Sequence, residues 1–410
     1  MSRVENLLSP DDWLTRDKIS SIYMRGHFLP YPPSPFSLAN VFGLATFMRM
    51  IMGYAAARFF SLIGSKAPQT FEDDLIGRLG APLYEVLFKP IALKLWGDPK
   101  NLDVKLSQGR VQTPSLWEVF QRLVGLQKTS EFEALTFRYP RGGLQRLWQA
   151  ISKKARNKGK FLLQHEITKI GVENGRVSTL SWRNLKTDEQ EETRLKDADI
   201  VVSSLPLGLL THLMKGGLSP DAGELISKTV QLNDLLLVFF KIDSPSLLDE
   251  SWLFVPDPEV AFHRISEQES FDPDMTPDGS IVCCEIMNNE MRPMSACSDD
   301  ELIAKAEEGM RRMGYAGFGI LDSRVIRLPR SYPVFRPGFE PALKDILSEL
   351  DGIANFRTVG RQGAFNYIGT LDAMDIGYGC ARWLVAARKD KENPDWEVER
   401  RRTSHYPVLD

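Results

Sequence analysis

Residues 356–383 read FRTVGRQGAFNYIGTLDAMDIGYGCARW, and this stretch decides the fold. Its pattern is a short apolar strand, a glycine-rich turn and a helix that begins with Thr370 as its N-cap. Asp372 and Asp375 stand near the start of that helix and Arg382 in a later turn, where the helix dipole favours them. The unpaired amides of such a helix start suit an electron-rich carbonyl or an anion. The spacing fits equally well a capped helix that binds no ligand.

The rest of the chain predicts a mixed α/β architecture. Residues 198–206 form a continuous apolar run that ends in serines and a proline, which is typical of a central parallel strand buried on both faces. Residues 20–30 predict a hairpin around Arg25 and Gly26, whose strands must join a sheet formed elsewhere. Apolar runs between about 228 and 290 are spaced as in an antiparallel sheet. Residues 37–126 are predominantly helical, and one of the predicted helices is Pro114–Leu126.

Composition excludes several classes of function. The 410 residues carry a net charge of −3, which gives no reason to expect a nucleic-acid partner. Four cysteines show no paired metal spacing and five histidines are scattered, so we expect no metal site. Cysteines of this kind fit a reducing compartment, and the start of the chain lacks the order of a signal peptide, so we expect a cytoplasmic protein.

One segment raises the question of a membrane. Residues 36–63 are rich in Phe, Met, Leu and Ala but include Arg49 and Arg58, and no window is long and apolar enough for a membrane span. The segment predicts a core helix with its arginines at the rim. A helix that makes peripheral contact with a membrane surface is the alternative.

Several segments, in their order along the chain, resemble the flavin-containing amine oxidase superfamily, especially its protoporphyrinogen-oxidase-like and UDP-galactopyranose-mutase-like branch. The resembling segments cover residues 20–32, 139–144, 167–170, 200–206, 263–267, 332–334 and 360–381. The resemblance implies an FAD-binding Rossmann-like domain interleaved with a substrate domain of antiparallel sheet and helices.

The resemblance also implies where the site lies. FAD would contact Ile167, Gly360, Arg361, Leu371, Asp372, Ala373 and Met374. Arg141 and Gly142 would lie on the substrate side, and Tyr367 would form part of the pocket wall. The amides at the helix start would stabilise negative charge on the reduced flavin. No catalytic residue is nominated, and we expect Arg264 and Glu267 to form structural salt bridges.

The chain departs from the family pattern at its beginning. Members of the superfamily begin with a βαβ unit that carries G-x-G-x-x-G, and this motif is absent from the sequence. We therefore expect an FAD-binding domain that is incomplete at its N-terminus. The predicted division is 1–36 hairpin strands of the substrate domain, 37–130 helical cap, 131–220 FAD-domain segment, 221–335 substrate-domain sheet and helix, 336–390 C-terminal FAD-domain segment and 391–410 mobile tail.

Three hypotheses for function follow. The first is an FAD-dependent oxidoreductase that takes a hydride from an unidentified small-molecule substrate. The second, favoured by the early hairpin with Tyr31 and Pro32, is a flavin-dependent sugar-nucleotide mutase. The third is a non-catalytic homologue whose missing strand comes from a partner chain, which predicts an oligomer or an aggregation-prone sheet edge.

Overall fold

A computed structural model describes residues 2–64, 67–110, 136–214, 216–276, 278–389, 395–404 and 406. The predicted helix over residues 114–126 lies outside these ranges. The strands are β1 (Trp13–Asp17), β2 (Ser20–Met24), β3 (His27–Pro30), β4 (Thr136–Pro140), β5 (His165–Glu173), β6 (Arg176–Asn184), β7 (Gln190–Arg194), β8 (Val201–Ser203), β9 (Gln231–Ile242), β10 (Trp252–Phe254), β11 (Arg264–Glu267), β12 (Ser280–Asn288), β13 (Ile320–Val334) and β14 (Phe356–Thr358).

Helices connect these strands. The α-helices are Ser2–Glu5, Pro35–Phe42, Leu44–Ile63, Phe71–Leu79, Ala81–Leu83, Lys89–Leu95, Lys105–Arg110, Gln145–Arg156, Leu207–Leu213, Pro220–Thr229, Asp299–Arg312, Phe339–Asp351, Gly360–Gly363, Thr370–Lys389 and Trp396–Thr403. Tyr84–Phe88 forms a π-helical turn, and Pro10–Asp12, Pro99–Asn101 and Pro273–Met275 form short 3-10 turns.

A seven-stranded sheet forms the larger structural unit, with strand order β13-β9-β12-β11-β10-β2-β3. The predicted hairpin is confirmed, because Met24 pairs with His27 and the two turn residues Arg25 and Gly26 have φ of 50° and 80°. Its strands join the sheet through the parallel pairing of β2 with β10. The antiparallel sheet expected in residues 228–290 is also confirmed, because β9, β11 and β12 pair antiparallel.

The two faces of this sheet are covered differently. Val238, Phe240, Ile265 and Cys284 are fully buried under the Asp299–Arg312 helix. On the other face, Met24 and Leu29 pack against the helices Pro35–Phe42 and Leu44–Ile63. The helical block therefore covers one end of the second face.

The segments predicted to belong to an FAD domain form smaller sheets. β5, β6 and β7 make a three-stranded antiparallel sheet, and β8 pairs parallel with β14. The predicted parallel pairing of β8 is confirmed. The prediction that β8 is buried on both faces is wrong, since Val202 is 41% exposed. Within the described ranges β14 is the one partner of β8, so one edge of that strand lacks a neighbour.

The C-terminal segment differs from the expected mobile tail. Residues 396–403 form a helix that packs on the Thr370–Lys389 helix through Trp383 and Trp396, whose ring centroids lie 5.1 Å apart. Arg400 makes a bidentate ion pair with Asp351, at 2.7 and 2.9 Å, and its Nη1 donates to the Thr358 carbonyl at 2.9 Å. This docking ties the tail to the end of β14.

Candidate active site

The glycine turn after β14 has one open and one tightly packed glycine. Gly360 has φ of 85°, a conformation that favours glycine, and a side chain there would meet nothing within 4 Å. Gly363, by contrast, packs tightly, because a Cβ there would lie 2.8 Å from the Thr358 hydroxyl. The turn is therefore anchored at Gly363 and open at Gly360.

The helix after this turn begins differently from the prediction. Thr370 is the first helical residue rather than the N-cap, and the Asp372 carboxylate accepts from the Gly369 N–H at 3.3 Å. Asp372 thus caps the helix from within its own first turn. Leu371 and Ala373 are exposed, while Asp372 and Met374 are half-buried. The predicted helix start is present, one residue away from the predicted cap.

Arg361 joins the turn to the seven-stranded sheet. Its guanidinium carbon lies 4.9 Å from the ring centroids of both Tyr332 and Tyr367, so the cation lies against a pair of aromatic rings that also contact each other, at 5.8 Å between centroids. Its Nη1 donates to the Ile368 carbonyl at 3.0 Å. Trp96 lies at the edge of Tyr367, at 6.5 Å between centroids. Tyr367, predicted as a pocket wall, is buried within this aromatic group.

A polar pair lies beside this group on the face of the sheet. Arg264 and Glu285 are directly opposite on β11 and β12, and Nε and Nη2 of the arginine donate to the two carboxylate oxygens, both at 2.8 Å. Burial works to lower the pKa of Arg264, but the attraction of Glu285 outweighs it and holds the pKa above its usual value. The Tyr332 hydroxyl also contributes to the raised pKa of Arg264. The pair therefore lies near Tyr332, and so near the Arg361 group.

The pair belongs to one row of side chains across four strands. Cross-strand register aligns Arg264, Glu285, Leu237 and Ile326, and the next row is Ser266, Cys283, Phe239 and Arg324. Leu237, Phe239 and Ile326 are half-buried, so they form an apolar floor beside the polar pair. Burial raises the pKa of the Cys283 thiol, which makes it a poor nucleophile at neutral pH.

The salt bridge expected at Arg264 is confirmed, whereas the one expected at Glu267 is wrong. Arg264 pairs with Glu285 rather than Glu267. Glu267 is fully buried and accepts from the backbone N–H groups of Leu247 and Leu248, both at 2.8 Å. Backbone donors therefore satisfy this carboxylate, and it has a structural role.

The remaining predicted residues lie apart from the Arg361 group. The Arg141 guanidinium pairs with Asp274 at 2.9 Å, and the Gly142 N–H donates to Asp272 at 2.6 Å. Ile167 is half-buried on β5 and packs against the main core. No contact recorded in the described ranges links these three residues to Gly360 or Arg361, so their roles in binding stay predictions.

The turn fits one end of an FAD better than the other. The open backbone at Gly360 and the exposed helix start suit the flavin ring and its carbonyls. Beside Gly360 and the docked tail, the cavity lined by Val359, Trp396 and Arg400 measures about 10 Å³, the space of about one water molecule. Within the described ranges no glycine-rich turn follows β8, so the residues that could contact a flavin ring stand without a glycine-rich cradle for the pyrophosphate.

Comparison with known proteins supports the fold. No family model matches the sequence. The structure of reduced UDP-galactopyranose mutase is similar with a TM-score of 0.75 at 18% identity, covering 89% of this chain and 75% of that one. A protoporphyrinogen-oxidase-like protein from Exiguobacterium sp. 255-15 gives 0.63 at 13% identity, covering 88% and 79%. Cyclohexylamine oxidase from Brevibacterium oxydans IH-35A gives 0.53 at 11% identity, covering 86% and 77%. The chain therefore shares its fold with these three proteins, as the resemblance in its sequence predicted.

Proposed function

We propose that this chain is a flavin-dependent oxidoreductase of the amine-oxidase type, which takes a hydride from a small molecule bound at the face of the seven-stranded sheet that carries Arg264 and Glu285. The observation that carries the proposal is the position of Arg361 against the paired rings of Tyr332 and Tyr367. This contact joins the open glycine turn, which suits a flavin ring, to the sheet face that carries Arg264 and Glu285.

When bound, FAD would supply the electron sink that accepts the hydride. Gly360 leaves room for the ring, and the first-turn amides of the Thr370–Lys389 helix favour negative charge at the adjacent carbonyl. Arg361 is fixed by its two aromatic neighbours, so the cation adds to that favourable field.

The sheet face would bind the substrate. Arg264 and Glu285 neutralise each other, so the floor offers hydrogen-bonding groups without a net charge, beside the apolar Leu237 and Ile326. This arrangement suits a small molecule with an apolar body and one polar group.

The proposal is tested on the purified chain by its visible spectrum, before and after addition of FAD. We expect flavin absorption bands that persist after gel filtration. Arg361→Leu should weaken FAD binding by about tenfold, since it removes a cation held against the site. The matched control is Arg382→Leu, on the exposed face of the following helix. If flavin bands do not persist after FAD is added, the proposal fails for this chain.

A second candidate is a flavin-dependent sugar-nucleotide mutase, in which reduced flavin acts without net oxidation. The observation in its favour is the fold similarity to UDP-galactopyranose mutase. A thermal-shift measurement with UDP-sugars and reduced flavin distinguishes the two candidates. A shift with UDP-sugars supports the mutase, and its absence argues against it.

A further inference from the structure

The Leu44–Ile63 helix has an apolar face on its solvent side. Leu44, Met48, Met52, Phe59 and Ile63 recur at the spacing of one helix face and are between 47% and 72% exposed. We call these five residues the apolar stripe. The helix is 20 residues long, so the stripe extends for about 30 Å. Phe36, Phe60 and Leu62, all more than 60% exposed, widen the patch.

Packing of the opposite face fixes this orientation. Met50 and Tyr54 are buried against the rest of the helical block and the core. A side chain on Gly53 would lie 2.8 Å from Pro82, so the helix approaches its neighbour as closely as glycine permits. The stripe is therefore on the outside because the helix is held by its other face.

The segment of sequence that contains the stripe carries charge of one sign, although the acidic first turn of the Phe71–Leu79 helix follows it in the chain. The sequence between Asp17 and Glu72 contains no Asp or Glu. It contains five basic residues: Lys18, Arg25, Arg49, Arg58 and Lys66. The whole chain, by contrast, has a net charge of −3. An exposed apolar helix within a basic segment free of carboxylates is complementary to the surface of an anionic bilayer, where apolar side chains enter the acyl boundary and cations meet the headgroups.

We infer that the Leu44–Ile63 helix is a docking surface for anionic membranes, on which the helix lies parallel to the bilayer plane. Among the described residues no helix is both long and apolar enough to cross a bilayer, so the contact is peripheral. A second copy of the chain fits the patch less well, because pairing of two such surfaces would bring two basic, carboxylate-free segments together. The inference does not depend on the proposed function.

The test is sedimentation of the full chain with vesicles of phosphatidylcholine alone or with added phosphatidylserine. We expect binding to the anionic vesicles, weakened by salt. Phe59→Glu should reduce binding by at least about tenfold, because it replaces a large apolar side chain of the stripe with a carboxylate. Arg49→Gln should reduce it by about fivefold, the effect of one basic residue at such a surface.

Leu185→Glu is the matched control, since Leu185 is 57% exposed on the distant β6–β7 turn, and it should leave binding unchanged. Met52→Glu replaces Phe59→Glu if that variant does not fold by circular dichroism. The inference is overturned if the chain does not bind vesicles that contain phosphatidylserine. It is also overturned if the chain binds vesicles with and without phosphatidylserine equally. It is also overturned if light scattering shows a dimer that Phe59→Glu dissociates, because the patch would then serve a second copy.

Discussion

The seven-stranded sheet and the β8–β14 pair are both β-structure, but they differ in what completes them. Val238, on the interior strand β9, is fully buried between two neighbouring strands and a helix. Val202, on β8, is 41% exposed and has one neighbouring strand within the described ranges. In the seven-stranded sheet, β9 is covered by neighbouring strands and a helix. In the β8–β14 pair, the docked tail packs at the end of β14, and one edge of β8 has no strand neighbour among the described residues. The open region is also the one that carries the Gly360 turn.

The largest expected difference comes from the same substitution in the two regions. Val238→Ala should lower the free energy of unfolding by about 2–3 kcal/mol, because it removes two buried methyl groups and leaves a cavity. Val202→Ala should cost less than about 1 kcal/mol, since its side chain is already partly in water. Urea unfolding of both variants measures the difference. Equal costs would show that β8 is as well packed as β9.

A smaller effect is expected at the docked tail. Arg400→Ala breaks the ion pair with Asp351 and the hydrogen bond to the Thr358 carbonyl, and should cost about 1–2 kcal/mol, because the pair is largely but not fully buried. Arg401→Ala, on the exposed side of the same helix, is the control and should cost less than about 0.5 kcal/mol. Thermal unfolding compares the two. A cost for Arg401→Ala as large as that for Arg400→Ala would contradict the docking.

The smallest effect concerns pH. Hydrogen bonds from Tyr406 and Arg402 hold the pKa of Asp375 below its usual value. A carboxyl whose pKa is depressed on folding stabilises the fold above its unfolded pKa of about 3.9, and this contribution is lost as the pH falls through the lower, folded value. Tail docking should therefore weaken below about pH 4.

Fluorescence of Trp396 reports that change, because its ring lies against Trp383 and near Arg400. Asp375→Asn should remove the pH-dependent part of the signal in this acidic range. A wild-type signal that stays flat down to the folded pKa of Asp375 would argue against its role in holding the tail.

Features that depend on residues adjacent in the chain were predicted correctly from the sequence. The hairpin at Arg25 and Gly26, the antiparallel sheet and the glycine turn at Gly360 all follow from residues adjacent in the chain. The tail helix also has local signals in the sequence, which argue against the predicted mobile tail. The Asp395 side chain caps it, acidic residues stand in its first turn, and arginines in its last.

The parts that could not be predicted depend on contacts distant in sequence. The partner of Arg264 is set by the register between β11 and β12, which no local pattern encodes, so Glu285 was not recognised. Tyr332 lies 29 positions before Arg361, and only the tertiary fold places its ring on that guanidinium. Val202 has an apolar sequence environment that predicts burial, but β8 has one strand neighbour among the described residues, and Val202 is 41% exposed.

The central claim is that the region of β8, β14 and the Gly360 turn forms the flavin-facing half of the site, while the seven-stranded sheet is complete without a ligand. Amide hydrogen exchange of the full chain, with and without FAD, tests this most directly. We predict that FAD slows exchange at residues 201–203 and 356–374 and leaves the amides of β9 and β12 unchanged. No change at residues 356–374, or equal slowing in both regions, would contradict the account.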